Sequence, residues 1–201
     1  MIRKIALICF LSFALLVAYS SISDAKRARY TGNLGCKCHK PNQDDWAKSR
    51  HGLAFQTLVL KGRTKYVSDA LAKLKLDPGK DYSTEKKCLQ CHTVGFEEPG
   101  GYEDADSSKD LRGVGCENCH GPGSEYRFIH KEKGDEEGNL YTRAEVKAAG
   151  QIFPQEDFQM CKECHDNPDA ATFVKGKFKY EESIKHVKEW HKTNKLMYKH
   201  D

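Results

Sequence analysis

The chain has 201 residues, a formal net charge of +4 from 33 Lys and Arg against 29 Asp and Glu, 38% hydrophobic residues and 31% charged ones. That length suits a single domain, but the apolar content is low for a chain that must build its own core. The positive balance is too slight to argue for a nucleic-acid partner, and any bound anionic group would erase it.

At the start of the chain, Arg3 and Lys4 precede an apolar run over residues 5–18, and Ser23-Asp24-Ala25 closes it. This is the three-part layout of a secretory signal, with cleavage expected after Ala25 and residues 26–201 left as one domain. The run is short for a spanning helix, so an uncleaved N-terminal membrane anchor is the lesser alternative. Cys9, preceded by the bulky Ile8, is a poor lipidation site and leaves with the signal. Loss of Arg3, Lys4 and Asp24 leaves 31 bases and 28 acids, a net charge of +3.

Four places take up eight of the nine cysteines. Cys88-Leu-Gln-Cys91-His92, Cys116-Glu-Asn-Cys119-His120 and Cys161-Lys-Glu-Cys164-His165 are complete Cys-x-x-Cys-His motifs, and Cys36-Lys-Cys38-His39 is a shortened copy. The pentapeptide is the attachment signal for haem c: both thiols add across the haem vinyl groups, and the adjoining histidine ligates the iron. Zinc ribbons and redox dithiols also use Cys-x-x-Cys, but neither explains a histidine following each time. In the short copy Gly35 stands where the first cysteine belongs, so a haem there hangs from Cys38 alone or from Cys36 and Cys38 with distortion. The proximal iron ligands are His39, His92, His120 and His165. Delivery of thiols to the outer side of a bacterial inner membrane fits the signal segment and a periplasmic location.

The rest of the chain has little strand signal, and its helical stretches are short and broken by glycine and proline. The expected class is mainly α, short helices and long loops wrapped around four covalently bound haems that supply the missing core. Without them the chain should be largely unfolded. In the segment after Asn42, Ala47, His51, Ala54, Phe55 and Leu58 share one face at helical spacing. The acid-rich residues 97–110, with Pro99-Gly100-Gly101, read as a solvated loop, and residues 134–138 as another. Gly121-Pro122-Gly123 forces a turn directly after the third motif, and Tyr126 and His130 pair at i, i+4. Thr142 caps a short helix ending near Gly150. Tyr180, Ile184, Val187 and His191 form a terminal stripe. His51, His130 and His191 are therefore the candidate distal iron ligands. His186 falls off the terminal stripe as a surface residue, His200 sits at the frayed end, and Met160 and Met197 are weak candidates. Three distal histidines for four haems leave one iron five-coordinate.

The runs Lys75-Leu-Asp-Pro-Gly-Lys-Asp-Tyr82, Cys88 to Phe96 and Gly113-Val-Gly-Cys-Glu-Asn-Cys-His-Gly-Pro-Gly123, with Trp46, His51 and the terminal segment bearing His191, resemble the cytochrome c-554-type tetrahaem cytochromes c of ammonia-oxidising bacteria. The likeness spans most of residues 35–198. It implies a helical fold around four close-packed haems, with His51, His130 and His191 on three of them and an open position on the haem of Cys88, Cys91 and His92. It also implies a hydroxylamine-oxidoreductase-like donor and a membrane quinone-linked cytochrome as acceptor. The shortened first motif departs from this family.

The expected function is an electron shuttle between redox proteins. The alternative is reduction of nitric oxide, or another small nitrogen ligand, at the five-coordinate haem. No His-Arg or Lys-Tyr constellation at fixed spacing marks a proton donor for that chemistry. A gas-sensing role lacks any output domain.

Overall fold

The computed structural model describes residues 27–129, 141–167 and 179–189. The expected signal segment, residues 134–138, His130, His191, His200 and Met197 lie outside these. The described residues are helical with no strand, and Thr93 and Arg112 form one isolated antiparallel bridge. Seven α-helices follow in chain order: α1 Lys40–Ala47, α2 Lys65–Lys73, α3 Lys86–His92, α4 Cys116–His120, α5 Arg143–Ala148, α6 Gln159–His165 and α7 Tyr180–Lys188. Short 3₁₀ helices cover Asn33–His39, Phe55–Thr57 and Lys109–Leu111. None of the described helices is long and apolar enough to cross a membrane.

The helices are short because the chain writes their ends explicitly. In α5 the Thr142 side chain accepts from the Glu145 N–H, and Glu145 reaches back to the Thr142 N–H at 2.7 Å, a reciprocal capping box. Its other end closes on Gly150 (φ 93°), with Gln151 N–H bonded to the Val146 carbonyl. The same closure ends α2, where Lys75 takes the left-handed conformation (φ 60°) and Leu76 N–H reaches the Leu71 carbonyl. The helix expected between Thr142 and Gly150 is thus present with both its caps.

The expected stripe over residues 47–58 is corrected. The helix stops at Ala47, and from His51 to Leu58 the chain winds through successive i→i−3 hydrogen bonds, Ala54 to His51, Thr57 to Ala54 and Leu58 to Phe55 among them. Gly52 explains the break: a Cβ there would lie 2.4 Å from the Trp46 carbonyl oxygen, so the chain folds back onto the end of α1. With about three residues per turn, His51, Ala54 and Thr57 align instead.

Residues 97–110 also differ from a solvated loop. Tyr102 is 2% exposed and packs on Phe55 and Phe96. The acids around it serve as turn acceptors: Asp104 takes the backbone N–H groups of Asp106 and Ser107.

Two apolar clusters result. The larger joins Phe55, Leu58, Leu71, Tyr82, Leu89, Val94, Tyr102 and Leu111. The smaller joins Tyr126, Tyr141 and Val146. Terminal helix α7 is tied down by Tyr180, which stacks on Phe158 at 4.4 Å and donates to the Pro154 carbonyl. His186 is exposed on it, as the sequence reading held.

Replacing the α5 cap, Thr142→Ala, removes one hydroxyl acceptor and half of the capping box. The expected loss is about 1 kcal/mol of stability, measured by denaturant unfolding of the holoprotein, with Thr142→Ser near native.

Candidate haem-attachment site

Each complete motif forms its own short helix: α3 carries Cys88, Cys91 and His92, α4 carries Cys116, Cys119 and His120, and α6 carries Cys161, Cys164 and His165. At about 100° per residue, thiols at i and i+3 and the histidine at i+4 share one face. The helical turn therefore delivers both thiols and the imidazole to the same side.

Two of the histidines are oriented by backbone carbonyls. His92 Nδ1–H donates to the Ala54 carbonyl oxygen at 2.7 Å, and His120 Nδ1–H donates to that of Ile152 at 3.2 Å. A carbonyl only accepts, so the proton sits on Nδ1 and Nε2 keeps its lone pair free for a metal. Burial lowers the His92 and His165 imidazoles, which favours the neutral, ligating form.

His51 lies 6.0 Å, centroid to centroid, from His165, with the rings at 83°. Burial, and then the neighbouring His165, lowers it to about 4. Two imidazoles on opposite sides of one iron, each with a metal–nitrogen bond of about 2 Å and a further half-ring, stand about 6 Å apart between centroids. The residues present therefore fit haem, and this pair fits one iron. His51 is held by its own backbone: its carbonyl accepts from Val114 N–H at 2.9 Å, and Trp46 Nε1–H donates to the Val114 carbonyl at 2.7 Å. Trp46 and His51 thus grip the strand-like approach to α4 from both sides.

The four motifs meet in space. The thiols of Cys36 and Cys116 are neighbours, and so are those of Cys91 and Cys164. Cys119 is pushed up to about 12 by burial and by the nearby Cys161. The attachment points therefore run first, third, fourth, second. His39 stands at the N-cap position of α1, makes no side-chain capping hydrogen bond there, and is half-buried. Cys36 and the backbone of Cys38 lie in the Asn33–His39 3₁₀ helix; the Cys38 side chain, like His130 and His191, lies outside what is described.

Sequence reasoning missed the two residues inside the third motif. Glu117 is 2% exposed. Its carboxylate accepts from the backbone N–H groups of Thr31, Gly32 (2.8 Å) and Gly123 (2.6 Å) and from the Thr31 hydroxyl. Asn118 accepts from Gly115 N–H and donates to the Thr93 carbonyl, next to His92. No local pattern signals either role, because most of the partners are distant in sequence.

The family described as "Cytochrome c554 and c-prime" matches residues 35–121. Cytochrome c-554 of Nitrosomonas europaea is 33% identical over 213 residues, covering 96% of this chain and 88% of that protein. The solved structure of the reduced state of cytochrome c554 from the same organism superposes with a TM-score of 0.62 at 34% identity, covering 86% of each chain.

Glu117→Ala strips the acceptor from three backbone N–H groups around a buried site. The expected cost is about 3 kcal/mol, read by urea unfolding of the holoprotein. Glu117→Gln, which keeps one carbonyl acceptor, is expected to lose less.

Proposed function

Because the chain belongs to the cytochrome c554 and c-prime family of multihaem electron-transfer cytochromes and carries four haem c, we propose that it is a periplasmic electron shuttle. On this reading it takes electrons from a hydroxylamine-oxidoreductase-like donor and passes them to a membrane quinone-linked cytochrome, in nitrifying metabolism. Haem c, when bound, supplies a one-electron couple tuned by its axial ligands. Residues 1–25 act as the export signal, and residues 26–201 form the working domain.

The protein's own part is to hold and orient. Cys88, Cys91 and His92 bind one haem, Cys116, Cys119 and His120 a second, and Cys161, Cys164 and His165 a third. The first motif binds the remaining one through His39 and through Cys38 alone or Cys36 and Cys38 together. His51, 6.0 Å from His165, would share that motif's haem, and His130 and His191 would serve two of the others, so that the haem of His92 would have no second protein ligand.

The observation that carries the shuttle reading is the contiguity of the four attachment points through Cys36–Cys116, Cys119–Cys161 and Cys91–Cys164. One unbroken run of cofactors serves electron passage. Redox partners of this kind meet through small, transient interfaces, which an exposed surface of mixed charge suits.

Carbon monoxide binding to the fully reduced holoprotein tests the ligand set. One molecule per four haems is expected, rising to two in His51→Ala as the His165 haem loses its second ligand. An unchanged count in that variant would remove His51 from the ligand set. Mixing the oxidised protein with the hydroxylamine-oxidising donor and its substrate should reduce all four haems. Failure to reduce any would overturn the donor assignment.

A further inference from the structure

The Ala54 carbonyl has more donors than lone pairs. It accepts the Thr57 backbone N–H at 3.1 Å, the Thr57 hydroxyl at 2.6 Å and His92 Nδ1–H at 2.7 Å. A carbonyl oxygen offers two lone pairs, so three donors divide them. The 3₁₀ winding brings this about. Thr57 stands one turn after Ala54 and turns both its N–H and its hydroxyl back onto that carbonyl. Ala54, Phe55 and Leu58 are buried, which keeps the group out of bulk water and makes each of its hydrogen bonds count for more.

The Thr57 hydroxyl oxygen also lies 3.3 Å from His92 Nδ1. That is long for a hydrogen bond, and the hydroxyl's single proton goes to the carbonyl. The hydroxyl therefore acts on the imidazole through the carbonyl. An acceptor already engaged by a hydroxyl pulls less on Nδ1–H, and the imidazole gives less electron density through Nε2.

We propose that Thr57 is a positioning residue for the haem of His92: by sharing the Ala54 carbonyl it weakens the hydrogen bond behind that imidazole and holds the haem at a higher potential. This rests on the reading of Cys88, Cys91 and His92 as an attachment point. A less basic ligand stabilises the more positive ferric iron less, which sets the sign. Without the hydroxyl, the carbonyl is left to the Thr57 N–H and to His92, and the couple moves down.

The test is an optical redox titration of the mature holoprotein, resolved into its one-electron couples, with iron counted per chain and the haem peptides mapped by mass spectrometry. Thr57→Val keeps the branched shape and removes the hydroxyl. One couple is expected to move down, its ratio of oxidised to reduced protein rising about threefold at fixed potential, the scale of part of one hydrogen bond. The other couples should stay where they are. Thr57→Ala, which adds no bulk, should move the same couple the same way, and Thr57→Ser, which keeps the hydroxyl, should leave it near native. No shift, an upward shift, an equal shift of all couples, or a shift in Thr57→Ser as large as in Thr57→Val would each overturn the proposal. An unmodified protein whose peptide bearing Cys88 and Cys91 carries no haem would instead sink the reading of that motif.

Discussion

The carboxylate of Glu117 is the interaction on which the rest of the arrangement depends. Burying a carboxylate is costly unless hydrogen bonds replace its water, and here backbone donors from residues 31–32 and 123 do so. The residue sits between Cys116 and Cys119 of α4, so the clamp acts on the motif helix itself. From there the ties spread outward. Asn118 reaches Thr93, Gly113 N–H bonds the His92 carbonyl, and Val114 N–H bonds that of His51. One short stretch of chain thereby sets the second motif, the third motif and His51 relative to one another.

This dense polar stitching matches the scarcity of apolar residues. The larger cluster, around Phe55, Tyr102 and Leu111, lies beside α3, and the smaller one, around Tyr126 and Val146, stands at α5. Neither fills the space among the motifs, where cysteines and imidazoles gather instead. The porphyrins are the interior there, and the chain's task is to fix their anchors at its edge. Lone carbonyls such as those of Ala54 and Ile152 complete that task by holding the His92 and His120 imidazoles in one tautomer.

What the sequence disclosed follows from how local each constraint is. Cys-x-x-Cys-His is legible because one helical turn sets the whole reacting geometry, and Thr142 with Gly150 is legible because a cap bonds only its own first or last turn. Residues 47–58 misled because alanines and apolar residues at helical spacing also suit a 3₁₀ winding, and the deciding fact, the approach of Gly52 to Trp46, is a backbone packing detail. Tyr102 was hidden among acids that turn out to be turn acceptors, and Glu117 was hidden because Thr31 and Gly32 lie about 85 positions away along the chain. Even so, His51 was chosen for a face it does not occupy and still lies against His165. The alignment of His51, Ala54 and Thr57 replaces the expected stripe and turns the same imidazole inward.

Spatial order decides which motifs end the run. Because the motifs run first, third, fourth, second, the two that come earliest in sequence are the ends of the run and the two later ones its middle. The ends are also where the motifs are least alike. At one stands the shortened Cys36-Lys-Cys38-His39, folded as a 3₁₀ helix rather than an α-helix. At the other stands His92, whose Nδ1 shares the Ala54 carbonyl with the Thr57 hydroxyl. The groups behind a haem's histidine, such as this shared carbonyl, tune its potential.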